Sequence, residues 1–458
     1  MLVAVLIAGV LIITLPRNKA IVPFLVTSIL IPTDQILVLG PFHFPVIRIL
    51  ILFGLMRILY SKLTAKALIF SRGINGMDKA VMLLAVFTTV NGVLLWQQSQ
   101  AIIKFSGDLY SAFGVYFLLR FLIQGEEDVR KTLRVLACLV VLIAGIMIWE
   151  QLTGRNPLYA ALGGVRNYQG TTAHGAEDKL RGTGSFAHPI LAGTFGGFCF
   201  PLFVGLWWRG EKADRKYALL GVVAAPVMAF AANSSTALFG LIGGIIALSF
   251  WPIRRLMRLV RWAIVTIIVS LHLVMKAPVW HLISRVDLTG GSSSYHRYQL
   301  VNQCILHFTD WWLIGTKNYG DWGWDMWDLS NQYVATADTA GLVPFILLLA
   351  IIVFGFKYVG IARRAAEDNR RQELFVWALG ASLFANVVAF FGISYFDQTV
   401  VAWYAILSMI CAGTAVARSA KREAMENAIL EEPDQTFPAD LASGSIRSHR
   451  SACGYFRP

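Results

Sequence analysis

The sequence predicts an all-α polytopic membrane protein, a bundle of 12–13 transmembrane helices with a large extracytoplasmic loop between the tenth and eleventh. Three observations support this fold class. Of the 458 residues, 56% are hydrophobic and the mean hydropathy is +0.60, which is too apolar for a soluble globule. Apolar runs long enough to span a bilayer recur along the chain. Basic residues cluster in alternate connections between these runs.

The predicted spans are the runs that come close to about 20 mostly apolar residues, or fewer where a helix is packed inside a bundle. Several are short, notably the first and the two that flank residues 233–236, so a total of 12 stays open beside 13. The runs cover residues 2–15, 21–39, 45–60, 79–98, 108–124, 132–150, 190–208, 217–232, 235–251, 261–277, 339–359, 373–391 and 398–417.

Charge asymmetry predicts the orientation of these spans. Of the 40 Lys and Arg residues, 30 lie in one alternating set of connections or after the last run, nine lie in the opposite set, and the other is Arg48. Because Lys and Arg are enriched on the cytoplasmic side, the N-terminus is predicted to lie outside and the C-terminus in the cytoplasm. This topology explains the net charge of +13 without a nucleic-acid partner.

Residues 1–417 are predicted to form one membrane domain, followed by a polar, disordered cytoplasmic tail over 418–458. The first apolar run lacks the positive segment of a signal peptide before it, so it is expected to remain as a span. The five cysteines are scattered without CxxC or metal spacing, and they predict no disulfide framework.

The extracytoplasmic loop 277–338 is the richest stretch of the chain in Trp, Tyr, Arg and Asp. Aromatic faces beside polar groups suit sugar rings, and arginine suits phosphate. The alternative is a structured cap anchored by tryptophans at the membrane interface. The candidate binding residues in this loop are Arg285, Arg297, Trp311, Trp322 and Trp324.

A second extracytoplasmic loop, 151–189, ends in Arg181-Gly-Thr-Gly-Ser-Phe-Ala-His188-Pro189. Pro189 suits the first position of a helix, so His188 is predicted at a helix N-terminus, where the dipole and free N–H groups favour an anion. The alternative is a histidine that caps the helix at the interface.

Arg48 lies near the outer end of the third span. It is a candidate because ionisable groups in a membrane are costly and therefore usually functional. The alternative is that its side chain extends to the outer interface.

The carboxylates of residues 321–338 have three interpretations: a Ca²⁺ or Mg²⁺ site, a general base, or solvation of the loop. The spacing of Asp321, Asp325 and Asp328 does not match an EF-hand loop, so no metal site is predicted. Asp328 and Asn331 precede a helix predicted from about Tyr333, and either could be its N-cap instead of a functional residue.

Taken together, these stretches resemble the O-antigen ligase and O-antigen polymerase superfamily of bacterial integral membrane glycosyltransferases. The resemblance covers most of residues 180–417, and each motif is degenerate. The sequence departs from the family at Ser330-Asn331, where many members have His-Asn. If that histidine is the base in those members, Asp328 is its nearest replacement here, and His188, His296 and His307 are further candidates. The matching passages are Arg181–Pro189, Ser234–Gly240, Tyr295–Tyr298, Trp312–Gly315 and Asn331–Val343.

The resemblance implies a polyprenyl-diphosphate-linked glycan donor at the outer face of the bacterial inner membrane, and no cofactor. The acceptor is either lipid A-core (ligase) or another lipid-linked repeat unit (polymerase), with membrane lipid and a chain-length regulator as further partners. Arg181, Arg297 and Arg48 would hold the diphosphate. Asp328 or His188 would take the proton. The substrate-binding residues would be Arg48, Arg285, Asn331, Trp311, Trp322 and Trp324.

A transporter or flippase of lipid-linked glycans is the main alternative function, and a structural scaffold of the envelope is a third. Transporters typically carry repeats, broken helices and buried charges near the bilayer midplane. Here the predicted spans are almost free of charge and the polar residues concentrate in the outer loops, which favours chemistry at the outer interface.

Overall fold

The computed structural model describes residues 1–32, 35–65, 70, 73–163, 180–285 and 293–431, most of them helical. Short 3-10 turns cover Trp251–Leu256, Val279–Arg285 and Tyr319–Trp322. The helices are α1 (Leu2–Thr14), α2 (Arg17–Leu30), α3 (Val46–Ala65), α4 (Gly76–Trp96), α5 (Ser99–Leu122), α6 (Glu126–Thr153), α7 (Pro157–Leu162), α8 (Pro189–Arg209), α9 (Lys212–Ala231), α10 (Ser235–Ser249), α11 (Met257–Val274), α12 (Ser293–Leu306), α13 (Phe308–Trp311), α14 (Gln332–Ala340), α15 (Leu342–Ala365), α16 (Arg370–Ala389) and α17 (Gln398–Glu431).

Among the described residues, eight helical segments combine the length and the hydropathy that a membrane crossing requires, namely α4, α5, α6, α8, α15, α16, the first part of α17, and α11 with the 3-10 turn before it. α1 and α10 are apolar but shorter. The predicted runs 21–39, 45–60 and 217–232 overlap α2, α3 and α9, which belong to neither group. The chain is therefore an all-α polytopic membrane protein.

The second predicted span is wrong as a continuous helix. α2 ends at Leu30, and Ile36–Leu39 forms strand β1, which pairs antiparallel with strand β2, Phe42–Pro45. Pro32 opposes continuation of the helix, and the β-branched residues of this run favour an extended strand. Gly40, with φ +60°, supplies the left-handed conformation of the turn.

At the other end of the chain, α17 continues as a helix to Glu431, past residue 418, where the sequence predicts the disordered tail to begin. The chain divides into two units after Arg418, and residues 432–458 lie outside the described residues.

α8 lies at the centre of the bundle, packed against α9, α10 and α16. Small residues allow this close approach: a Cβ added at Gly193 would lie 2.4 Å from the Cβ of Ala232 and 2.7 Å from that of Ala237. A Cβ at Gly205 would lie 2.4 Å from the Cβ of Ala378 on α16. The glycines of α8 thus bring the starts of α8 and α10 and the end of α9 together.

The opposite end of these helices, here called the basic end, is held by ion pairs. Arg209 at the end of α8 pairs with Glu126 at the start of α6 (2.7 Å), and Arg254 pairs with Glu373 at the start of α16 (2.9 Å). Asp214 at the start of α9 is fully buried and pairs with Arg130 (2.7 Å). The basic clusters of the sequence therefore also have a structural role.

Buried charge also lies within two candidate spans, near the basic end. Asp78, in the first turn of α4, pairs with Arg120 on α5 (2.9 Å) and accepts the hydroxyl of Tyr116 (2.6 Å). All three side chains are at least nine-tenths buried. The spans are therefore not free of charge here, contrary to the expectation from the sequence. The pair can be buried near the end of a span because each charge offsets the other.

Candidate functional site

At the end of the bundle opposite the basic end, several polar stretches converge on the connection 390–398 between α16 and α17. The side-chain amide of Gln398 donates to the carbonyl of Ser185 (2.8 Å), which belongs to the Arg181–Pro189 passage. The hydroxyl of Thr236, at the start of α10, donates to the carbonyl of Gly392 (3.2 Å). Two motifs that are distant in sequence therefore meet at one connection, which we call the junction segment.

The start of α14 is joined to the same junction segment. The N–H of Gln332 donates to the carbonyl of Phe390 (2.8 Å), and its side-chain oxygen accepts the N–H of Tyr395 (2.7 Å). Asn331 is completely buried and caps α14 by accepting the N–H groups of Tyr333 (3.0 Å) and Val334 (3.2 Å). Asn331 is therefore the N-cap of α14, which is the alternative to a functional role that the sequence also offers.

Glu150 fixes the conformation of the Arg181–Pro189 passage. It lies in the last turn of α6, is 1% exposed, and accepts the N–H groups of Thr183 (2.8 Å) and Gly184 (3.0 Å). Its other oxygen accepts the hydroxyl of Thr183 (2.8 Å). Asn156 donates to the carbonyl of Gly184 (2.6 Å), whose φ of +60° suits glycine.

Glu150 is not among the site residues predicted from the sequence, because it stands at the end of an apolar run. The available signal was a single carboxylate in an otherwise apolar span, since an ionisable residue in that position is costly and needs partners.

Arg181 and His188 lie at the two ends of this passage. The Nε–H of Arg181 donates to the carbonyl of Ala232 at the end of α9 (3.0 Å), which orients the guanidinium. His188 is the N-cap of α8, as predicted, and its Nδ1 accepts the N–H of Ile190 (3.2 Å). The predicted helix N-terminus is confirmed. This Nδ1 lone pair is used in capping, which weakens the case for His188 as a base.

The described residues of the loop 277–338, together called the cap, form the 3-10 turn Val279–Arg285, helices α12 and α13, and most of α14. Residues 286–292 lie outside the described residues. Its apolar core contains Leu300, Cys304, Trp311, Met326, Val334 and Ala337.

The three candidate tryptophans of the cap differ in exposure. Trp311 is 5% exposed and its indole N–H donates to the carbonyl of Cys304 (2.7 Å), so it packs in the core of the cap and leaves little of its ring for the sugar groove predicted for it. Trp324 is 75% exposed. Trp322 stacks on the ring of His307 with centroids 4.6 Å apart. Trp322 and Trp324 remain the aromatic surfaces available to a ligand.

A polar cluster joins α12 to the connection before α14. His296 and Arg297 are 7% and 6% exposed, and Nε2 of His296 lies 3.0 Å from the carbonyl oxygen of Asp328. A ring nitrogen of His296 and a carboxylate oxygen from each of Asp325 and Asp328 lie within 4.8 Å of one another. The spacing of the aspartates alone could not reveal this group, because its third member comes from another helix.

The pKa of Asp328 is raised from its usual value, chiefly because the surrounding protein desolvates its carboxylate. His296 lowers this pKa, Asp325 raises it and Arg297 lowers it. Asp328 and Arg297, two residues predicted to act together, are therefore electrostatic neighbours.

Arg48 and Arg285 lie apart from this convergence in the contacts of the described residues. Arg48 pairs with Asp108 (3.1 Å) and donates to the hydroxyl of Ser111 (3.1 Å) and the carbonyl of His43 (2.8 Å), so it joins α3 to α5 and the hairpin. Arg285 is exposed at the end of its 3-10 turn.

The stability of the cap is expected to depend on pH through Asp338. This residue is 1% exposed, and burial raises its pKa to about 7, while a hydrogen bond from Cys304 opposes the shift. Since the unfolded value is about 3.9, its stabilising contribution is complete below about pH 4 and is lost as pH rises through about 7. Asp338→Asn is expected to raise the thermal stability at pH 8 relative to the unmodified protein and to flatten its fall between pH 5 and 8. Equal pH slopes in the two proteins would contradict this, and the exposed Asp321→Asn is the control.

The fold and this convergence of polar loops define the class of the chain: a polytopic helical membrane protein with a folded cap and a polar junction at one end of its bundle. A scan against known protein families finds no match, and a search of curated proteins finds no related sequence.

Proposed function

We propose that the chain transfers or polymerises polyprenyl-diphosphate-linked oligosaccharide units at the outer face of the bacterial inner membrane, with the junction segment and the cap facing outward. The observation that supports this most is the convergence of Ser185, Thr236 and Gln332 on the junction segment. They come from three of the passages that carry the resemblance to O-antigen ligases and polymerases. Chance similarity between degenerate motifs gives no reason for them to meet at one place.

In the proposed reaction, an acceptor hydroxyl attacks the anomeric carbon of the donor sugar. The bond from that carbon to the diphosphate oxygen breaks, its electron pair leaves with the polyprenyl diphosphate, and the hydroxyl proton passes to a base. Arg181 and Arg297 stabilise the charge that develops on the diphosphate, without a divalent ion, because a guanidinium matches two phosphate oxygens at once. The hydrogen bond from Arg181 to Ala232 supports this role by limiting the orientations of its side chain.

Asp328 is the base that fits best. Its raised pKa makes it a stronger proton acceptor than an ordinary aspartate, and it lies exposed on the surface of the cap. By contrast, Nδ1 of His188 already accepts a hydrogen bond from the backbone of α8. Trp322 and Trp324 would provide apolar faces for the sugars beside this carboxylate.

Asp328→Asn is expected to lower the rate of glycan transfer by about 10²–10⁴-fold while the apparent affinity for the donor changes little, because the amide cannot accept the proton. The rate is measured with purified protein and a defined polyprenyl-diphosphate oligosaccharide. Asp321→Asn, an exposed aspartate of the same loop, is the control. Activity of Asp328→Asn near that of the unmodified protein would show that Asp328 is not the base and would indicate a histidine instead.

The same assay decides between a polymerase and a ligase. Purified protein is given the donor with a chelator, with and without lipid A-core. Longer lipid-linked glycan without lipid A-core identifies a polymerase, and glycan joined only to lipid A-core identifies a ligase. Strict dependence on a divalent ion would contradict the proposed stabilisation by arginine.

A transporter or flippase of lipid-linked glycan is the second candidate, and the buried pair of Asp78 and Arg120 within candidate spans favours it. The pair lies near the basic end, away from the bilayer midplane where transporters usually bind their substrates. Loss of the gene distinguishes the two: lipid-linked units stranded on the cytoplasmic face indicate a flippase, whereas unjoined units on the outer face indicate a transferase.

A further inference from the structure

We propose that His296, Asp325 and Asp328 form a binding site for one divalent cation of the zinc type. A nitrogen of His296 and a carboxylate oxygen of each aspartate lie within 4.8 Å of one another. His296 belongs to α12, whereas both aspartates lie in the connection that leads to α14. A bound ion would therefore tie these two parts of the cap together. The proposal does not depend on glycosyl transfer: in the metal-bound protein Asp328 is a ligand, and its carboxylate is free to act as a base only in the metal-free protein, which is the state that the chelator in the transfer assay maintains.

The buried ring of His296 is evidence for a metal site that is independent of the two carboxylates. It is 7% exposed, and its Nε2 lies 3.0 Å from the carbonyl oxygen of Asp328, an acceptor, so Nε2 carries the hydrogen and donates. The lone pair is then on Nδ1, which is screened from solvent and has no hydrogen-bond partner among the described residues. A histidine that binds a metal typically donates its other ring N–H to a carbonyl or carboxylate, which fixes the required tautomer.

Charge supports the same conclusion. The carboxylates of Asp325 and Asp328 are close enough to repel each other. Arg297, the neighbour of His296 in the chain, acts electrostatically on Asp328 and supplies one positive charge. Two carboxylates beside one guanidinium leave about one negative charge, which favours the binding of a cation here.

The types of donor select the ion. Imidazole suits zinc, whereas Mg²⁺ and Ca²⁺ prefer oxygen donors only, so one imidazole with two carboxylates favours Zn²⁺. Zinc binds nitrogen and oxygen at about 2.0–2.2 Å, so tetrahedral donors lie roughly 3.3 Å apart. The side chains of Asp325, half-buried, and Asp328, exposed, can close the remaining distance by rotation. Water would complete the tetrahedron.

Zn²⁺ binding to the purified, chelator-treated full chain tests the proposal by calorimetry in the absence of glycan. We expect one ion per chain, and at least about tenfold weaker binding in Asp325→Asn and in His296→Gln, since even the loss of a group that only orients a metal ligand weakens binding by about 10–100-fold. Asp321→Asn is the matched control and is expected to bind as the unmodified protein does. Excess Mg²⁺ is expected not to compete.

His296→Gln removes a buried ring, and this change can disturb the fold of the cap. Asp325→Asn is the second variant, because Asp325 is only half-buried. Thermal unfolding without metal checks that the fold of this variant is intact. Absence of stoichiometric Zn²⁺ binding by the unmodified protein would overturn the proposal. So would equal affinities in Asp325→Asn and Asp321→Asn. Because binding is measured without substrate, its failure is distinct from a failure of the proposed transferase activity.

Discussion

Arg181→Ala and Arg297→Ala are each expected to lower glycan transfer by about 10²–10³-fold while the amount of protein in the membrane stays normal. The reason is that each arginine would stabilise the diphosphate leaving group in the transition state, and removal of one such donor has an effect of this size. Transfer is measured with the purified protein and a defined lipid-linked oligosaccharide. The lysine variants are also expected to be impaired, because an ammonium group cannot contact two phosphate oxygens in a fixed plane.

The control for this prediction is Arg255→Ala, which removes a 72% exposed arginine at the basic end of the bundle. Its activity is expected to match that of the unmodified protein. Arg297 is 6% exposed, so thermal unfolding of Arg297→Lys must show an intact cap before its activity is interpreted. Full transfer activity in both alanine variants would exclude the arginine-based stabilisation of the leaving group.

The helix starts that the sequence predicts correctly depend on residues that are adjacent in the chain. The start of α8 at Pro189, with His188 as its N-cap, follows from the preference of proline for the first turn. Similarly, Asn331 directly before α14 follows from capping preference. Such signals require only a few consecutive residues, so they are readable without knowledge of the fold.

Features that depend on contacts between distant residues could not be read in this way. Glu150 contacts a passage about 30 residues later, and His296 approaches Asp325 and Asp328 from another helix. Burial of Trp311 likewise depends on how α12, α13 and α14 pack together. The strand Ile36–Leu39 was not predicted, because hydropathy alone does not distinguish an apolar strand from the end of an apolar helix.

Glu150→Ala is expected to lower transfer about as much as Arg181→Ala does, although Glu150 is assigned no contact with substrate. Without its carboxylate, the buried N–H groups of Thr183 and Gly184 lose their acceptor, which costs about 1–3 kcal/mol for each group left unsatisfied. The passage is then expected to move and to displace Arg181 from the diphosphate. Glu150→Gln is expected to recover much of the activity, because an amide oxygen can accept both N–H groups.

A double-mutant cycle separates this positioning role from a general loss of stability. If Glu150 acts through Arg181, the double variant is expected to be no slower than Arg181→Ala alone, because residues that act as a unit are not additive. Glu373→Ala is the matched control, since Glu373 is also 1% exposed but pairs with Arg254 and Arg363 at the basic end. Its effect is expected to be independent of the Arg181 substitution. Fully additive losses for Glu150 and Arg181 would show that Glu150 supports the fold but does not position Arg181.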